Sequence, residues 1–225
     1  MFKAINDRLS GETGFRALPY PRVISNRHLL LFDKKAASSG NRRPLMAGEL
    51  LEHYSAEQLR AHFLGLGLGL DNAPFRPKAY NPCAAPEDPD PVVREWGMFT
   101  NLLNRATRTL FYSLQKYCPD TAIPRGVVSA SVKDMADETI VSYENRMAEQ
   151  AFHLLMNLLE GYFRHINKEI SASIRETAEE PGGKGFRQAV IDAVHMVKTA
   201  TALAHPIAPD STDAVRDYMN LDERL

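Results

Sequence analysis

The second half of the chain carries apolar residues at the spacing of amphipathic helices. One apolar stripe runs over residues 91–117, a helix is predicted over 131–144, and a long stripe follows over 145–174. A further helix is marked by the apolar residues of 190–203, and a short last helix is predicted over 211–219. Apolar positions that recur every three or four residues place one face of each helix against a common core. Four or five helices joined by short loops predict an antiparallel α-helical bundle.

The first part of the chain has a different pattern. The run HLLLFD at 28–33 predicts a buried strand, and two short helical patterns follow within 46–70. Ser55 and Gln58 match the S/T-x-x-E/Q capping box, which predicts that the second of these helices begins at Ser55. Residues 71–91 contain six prolines and little periodicity. This proline-rich segment therefore predicts a boundary between two units.

Composition describes an ordinary globular protein, and its overall charge gives no indication of a polyanion partner. The 225 residues are 44% hydrophobic and 24% charged, with 27 Lys and Arg against 28 Asp and Glu. A local basic face is compatible with this balance, because steering depends on the distribution of charge. The two cysteines, Cys83 and Cys118, lack a C-x-x-C spacing. With no signal peptide and no apolar run of the ~18 residues that a membrane span needs, we expect a cytoplasmic protein without a membrane partner.

Four stretches in succession carry a family resemblance. They are LLLFDKKAASSGN, MAGELLEHYSAEQLRAHFLGLGL, FTNLLNRATRTLFYSLQKY and HPIAPDSTDAVRDYMNL. In this order they resemble the C-terminal half of class I aminoacyl-tRNA synthetases, and the methionyl enzymes in particular, over residues 22–221. The resemblance implies a mainly α protein. Residues 1–80 would form the end of a catalytic domain, a small α/β remnant that contacts the tRNA stem, and residues 90–225 an anticodon-binding helical bundle.

The stretch LFDKKAASSGN resembles the Lys-Met-Ser-Lys-Ser-x-Gly-Asn loop that stabilises the ATP phosphates in these enzymes. Aligned back from Gly40-Asn41, Lys34 takes the first lysine of the loop, whereas the second falls on Ala37. The loss of one such charge-stabilising group typically costs about 3–4 kcal/mol of transition-state stabilisation. The resemblance implies a phosphate loop formed by Lys34, Lys35, Ser38 and Ser39. A vestigial surface loop is the alternative interpretation.

A second candidate site lies on the first bundle helix. Asn104 and Arg108 are four residues apart, so they project from one helix face, opposite the apolar stripe. In the methionyl enzymes an Asn-x-x-x-Arg pair at this place contacts anticodon bases, and both side-chain types can read base edges. The alternative is a solvated polar pair or one bonded to a neighbouring helix. Lys34, Arg42 and Arg43 form a modest basic cluster. It either meets the acceptor side of the tRNA, where Arg42 and Arg43 would contact the backbone, or faces water.

The aromatic residue that stacks on a base in the family is missing from the corresponding place. Asn167-Lys168-Glu169-Ile170-Ser171 resembles the start of the family motif, but the tryptophan position falls near Glu176. Trp96, the only tryptophan, lies elsewhere in the sequence. Stacking contributes about 1–3 kcal/mol per base, and a carboxylate at that place would repel phosphates instead.

Three further polar residues are expected to have structural roles. His195 and His205 flank the apolar face of the fourth helix, where a buried or capping histidine is expected rather than a metal ligand. Asp210 precedes Ser211-Thr212 and is expected to cap the last helix. No metal site is predicted.

The resemblance implies the C-terminal portion of a methionine–tRNA ligase-like protein that contributes to ATP-dependent aminoacylation and binds tRNA, not DNA. The His-x-Gly-His signature of the catalytic half does not occur in this sequence. ATP with Mg²⁺ is therefore expected only together with an N-terminal catalytic half as partner, and the chain alone is expected to be inactive and to bind no cofactor. The alternatives are a non-catalytic synthetase paralogue that serves as an RNA- or protein-binding helical module, and a degenerate half that acts as a dimer partner.

Overall fold

The computed structural model describes residues 27, 29–30, 46–69, 71–81, 83–117, 124–180 and 183–219. Its helices are α1 Ala47–Leu51, α2 Ala56–Gly65, α3 Pro91–Arg94, α4 Asn104–Tyr117, α5 Ala130–Ala148, α6 Phe152–Thr177, α7 Lys184–Ala204 and α8 Pro209–Tyr218. A 3₁₀ turn spans Lys78–Tyr80, a π-helical segment spans Met98–Leu103, and the strands are β1 Leu29–Leu30 and β2 Ala73–Pro74. The predicted mainly α class, with a helical bundle, is confirmed. Over these residues, no helix combines the length and apolarity that a membrane crossing requires.

The long helix α6 is the centre of the bundle. It packs against α4, α5 and α7, and also against α2 from the first part of the chain. Its stripe predicted from residue 152 onward supplies much of the core, with Leu155, Leu159, Phe163, Ile166 and Ile170 all buried. The helical spacing places these apolar side chains along α6 so that they can contact α4, α5 and α7.

The turn between α5 and α6 differs from the sequence prediction. The stripe over 145–174 predicts a helix that begins at residue 145, whereas α5 continues to Ala148 and α6 begins at Phe152. Gln150 between them has a φ of 61°, in the left-handed region that ends many helices and that non-glycine residues seldom adopt. The apolar residues keep a helical spacing across this short turn. The sequence pattern therefore does not show where α5 ends and α6 begins.

The turn between α7 and α8 corrects one predicted cap and confirms another. The residue before α8 is Ala208, and Pro209 takes the first helical position, so Asp210 lies within the first turn instead of capping it. A carboxylate there still complements the positive end of the helix dipole. His205 is the C-cap residue of α7, and its Nδ1 lies 2.9 Å from Thr212 Oγ1.

The first part of the chain forms a small cluster of its own. The strands pair in parallel, with Leu29 opposite Ala73, and a second apolar cluster contains Leu50, Tyr54, Leu59, Phe75 and Val92. The predicted capping box at the start of α2 is confirmed, since Ser55 Oγ accepts a hydrogen bond of 3.1 Å from the Gln58 amide. The division into two domains at residues 80–90 stays a prediction.

Polar contacts attach α2 to the far end of the bundle. Glu57 is only 6% exposed, and its carboxylate accepts hydrogen bonds from the Ser211 amide at 3.1 Å and the Ser211 hydroxyl at 2.6 Å. Arg60 donates a hydrogen bond of 2.7 Å to the carbonyl of Ile207. A glutamate of α2 therefore supplies the cap that α8 does not find in its own sequence.

A third contact joins α2 to the end of α3. His62 is buried, and its Nδ1 lies 3.2 Å from a carboxylate oxygen of Glu95, while Arg94 donates to the other oxygen at 2.8 Å. Burial raises the pKa of the Glu95 carboxyl, but the hydrogen bonds from His62 and Arg94 outweigh it and hold that pKa below its ordinary value. Glu95 is therefore a charged anchor between these helices.

Glu57→Ala is expected to lower the free energy of unfolding by about 1–3 kcal/mol, because the half-buried Ser211 amide and hydroxyl lose their acceptor. Chemical denaturation of Glu57→Ala, Ser211→Ala and the double variant measures this as a double-mutant cycle. Glu138→Ala, at an exposed glutamate of α5, is the matched control. Additive effects at Glu57 and Ser211 would contradict the bond between the carboxylate and the Ser211 hydroxyl, and no loss of stability in Glu57→Ala would contradict the cap on the amide.

Candidate nucleic-acid interface

The predicted continuous helix over 91–117 is interrupted just before the candidate pair. The amide of Asn104 donates to the carbonyl of Phe99, five residues earlier, at the end of the π-helical segment. A π turn holds one residue more than an α turn and is frequent at functional sites. The extra residue changes the helical phase of the residues before Asn104 relative to α4. Trp96 and Asn104 therefore line the same cavity.

Asn104 and Arg108 both lie exposed on the surface of α4, as their spacing predicts. The Cζ of Arg108 lies 5.6 Å from the centroid of the Tyr112 ring, a cation–π contact that orients the guanidinium. Within the described part of the chain, neither side chain makes a hydrogen bond or ion pair. Among the described residues, Asn104 and Arg108 are therefore not bonded to a neighbouring helix. Their hydrogen-bond donors and acceptors face solvent.

A groove between α4 and α6 holds a set of cations that the sequence analysis did not identify. The α4–α6 groove is lined by Arg105, Arg164, Lys168, Ser171 and Arg175. Arg164 bonds to Glu160 at 2.6 Å, whereas the other three cations form no ion pair with any residue that the structure describes. The groove therefore presents unneutralised positive charge beside Asn104 and Arg108.

The signal for this groove was present in the sequence. Arg164, Lys168 and Arg175 are separated by four and seven residues, the spacing of one helix face. They run along α6 on the flank that the apolar stripe leaves free. A row of charged residues on one side of a helix is usually only a solvated surface. Here it forms one wall of a groove, because Arg105 of α4 lies opposite it.

A second feature lies on the other side of Asn104 and Arg108. The α4–α8 cavity has a volume of about 360 Å³ and is lined by Trp96, Phe99, Leu103, Asn104, Arg108 and Tyr218, among others. Trp96 stacks on Phe99 with ring centroids 4.8 Å apart, and Tyr218 packs on Phe111 at 4.3 Å. Sequence reasoning missed Tyr218, because only the packing of α8 against the bundle brings it near α4.

The remaining predicted residues are distributed differently. The phosphate-loop residues and the basic cluster lie outside the described residues: Lys34, Lys35, Ser38, Ser39, Arg42 and Arg43. Glu176, at the predicted stacking position, is exposed near the end of α6. Among the side chains that the structure does describe, no cluster of three or more potential metal ligands occurs.

Comparison with known proteins places the fold. No protein-family model matches the sequence, and no curated protein matches it. Solved structures do resemble it. Two of them are methionyl-tRNA synthetase of Mycobacterium tuberculosis, in the apo form and bound by methionyl-adenylate.

The two likenesses have similar extents. The apo enzyme is 21% identical with a TM-score of 0.59, over 77% of this chain and 34% of the enzyme. The adenylate-bound enzyme is 21% identical with a TM-score of 0.62, over 85% of this chain and 36% of the enzyme. The chain thus has a methionyl-tRNA synthetase-like fold and spans about a third of the length of these enzymes.

Proposed function

We propose that this chain is the tRNA-binding portion of a methionine–tRNA ligase-like protein. The observation that carries the proposal is the exposed pair Asn104 and Arg108, free of polar partners among the described residues, beside the cationic α4–α6 groove. An amide and a guanidinium can each form paired hydrogen bonds with the edge of an unstacked base. Cations alongside them neutralise the phosphates of the same strand.

The contacts to phosphates and the contacts to bases have different roles on this surface. Phosphate contacts supply most of the affinity and are insensitive to sequence, whereas contacts to base edges supply specificity. In the proposed complex, Arg105, Lys168 and Arg175 hold the backbone of the anticodon loop, and Asn104 and Arg108 read bases. The resemblance to methionyl enzymes gives methionine tRNA as the substrate class.

The catalytic contribution is also part of the proposal. In a complete ligase, an N-terminal half would bind methionine and the adenine of ATP, and Lys34, Lys35, Ser38 and Ser39 would approach the phosphates with Mg²⁺ nearby. Alanine at position 37 removes one of the two lysines of that loop, which favours slow activation. The same substitution supports the alternative proposal, a non-catalytic paralogue that retains the RNA-binding bundle.

Asn104→Ala and Arg108→Ala are each expected to cost about 1–3 kcal/mol of binding free energy for methionine tRNA, because each removes a base contact. Filter binding or fluorescence anisotropy across a salt series measures this, with an anticodon-swapped tRNA in parallel. The matched controls are Asn145→Ala and Arg146→Ala on α5, which should bind as the wild type does.

The swapped tRNA is expected to bind the wild type weakly and to be indifferent to the two α4 substitutions. Equal affinity for both tRNAs at moderate salt, with no effect of Asn104→Ala or Arg108→Ala, would overturn base reading by this pair.

A further inference from the structure

We propose that the α4–α8 cavity receives one unstacked nucleobase of the bound RNA. This inference rests on the proposed function and adds a binding site to it. The cavity volume of about 360 Å³ lies in the range of small-molecule sites, about 300–1,000 Å³. It opens next to Asn104 and Arg108, the residues proposed to read bases, and it is separate from the cationic α4–α6 groove.

The walls of the cavity suit a flat aromatic ligand. Trp96 and Phe99 form a stacked pair of rings along the α4 side, and Tyr218 stands on the α8 side, 55% exposed. Stacking on such rings is favourable for any base, since every base has a π face. Phe111 supports the Tyr218 ring from below, so the exposed tyrosine is held in place at the cavity wall.

The polar rim distinguishes a base from an apolar side chain of a partner protein. An aliphatic side chain would fill the cavity but would cover Asn104 and Arg108 without bonding to them, and unpaired buried polar groups are costly. A base offers ring faces to Trp96 and Tyr218 together with donors and acceptors on its edge. Asn104 and Arg108 line the cavity and can form hydrogen bonds with these donors and acceptors.

Charge fixes the side from which the RNA strand approaches. Helix α8 carries three carboxylates, Asp210, Asp213 and Asp217, against one cation, Arg216, which pairs with Asp213 at 3.0 Å. Its net negative charge would repel phosphates, whereas α4 carries Arg105 and Arg108. The phosphate attached to an inserted base therefore lies over α4. From there the backbone continues directly into the α4–α6 groove, so one strand occupies both features.

The only tryptophan of the chain lines this cavity, so intrinsic fluorescence reports on its occupancy. The experiment titrates the protein with the anticodon stem-loop of methionine tRNA, following anisotropy of a labelled RNA and Trp96 emission together. A series of stem-loops follows, each with one loop base replaced by an abasic site. We expect binding to quench Trp96. One abasic position should abolish the quenching and weaken binding at least as much as the loss of one stacking contact does, while the phosphate contacts keep the affinity above the non-specific level.

Substitutions at Tyr218 separate stacking from a structural role. Tyr218→Ala should bind the stem-loop about 5- to 150-fold more weakly, the equivalent of one lost stacking contact, whereas Tyr218→Phe keeps the ring and should bind as the wild type does. Val141→Ala on α5, also exposed, is the control. Thermal unfolding of each variant checks that the fold is unchanged.

The outcomes distinguish this inference from the function on which it rests. RNA binding without any change in Trp96 emission, or with equal quenching by every abasic stem-loop, would overturn base insertion and leave the proposed function standing. No binding above the non-specific level would overturn both.

Discussion

Replacement of both Lys168 and Arg175 by glutamate is expected to weaken tRNA binding on the order of a hundredfold. Each of these cations faces the α4–α6 groove without an ion pair to any described residue, so in the complex each is available for a phosphate. A charge-assisted contact contributes about 1.5 kcal/mol or more, and two such losses correspond to roughly two decades in affinity. Reversing the charge adds repulsion.

The salt dependence of binding identifies this loss as electrostatic. For single-stranded RNA the slope of log affinity against log salt is about 0.7 per neutralised phosphate, so the double variant should lose roughly 1.4 from the magnitude of that slope. Fluorescence anisotropy at several salt concentrations measures it. Lys133→Glu with Arg146→Glu, on α5, makes the same change in net charge away from the groove. If this control weakened binding equally, general charge rather than the groove would be responsible.

Leu159→Ala is expected to lower the free energy of unfolding by about 2–5 kcal/mol. Leu159 is completely buried on α6, the helix against which α4, α5 and α7 all pack. Removal of its side chain loses buried apolar area and leaves a cavity in the main apolar core. Denaturant unfolding followed by circular dichroism measures the change.

The same helix provides the matched control. Leu154→Ala removes the same atoms from α6, but Leu154 is 37% exposed, so less apolar surface returns to water and the surroundings can relax. We expect a cost of about 1 kcal/mol or less. Similar losses for Leu154→Ala and Leu159→Ala would mean that α6 is not the centre of the core. The Leu159 variant should also bind RNA normally while it remains folded, because it does not touch the binding surface.

Much of this architecture could be predicted because its signals are local. A helix places residues three and four apart on one face, so the stripe of α6 and the exposure of Asn104 and Arg108 follow from spacing alone. The capping box at Ser55 is equally local, since its bonds join residues three apart. The start of α8 behaves differently. Its expected cap, Asp210, does not act as one, because the acceptor comes from Glu57, more than a hundred residues earlier.

The sequence by itself determined the helical class, the apolar stripes and the polar face of α4. Only the tertiary structure decided which residues of other elements surround that face of α4. Trp96 reaches the cavity because a π turn inserts one residue before Asn104, Tyr218 reaches it because α8 folds back onto the bundle, and the groove exists because α6 lies beside α4. The physical reason is that periodicity fixes the faces of a single helix, whereas a binding site is made where several helices pack, and their packing depends on the whole core.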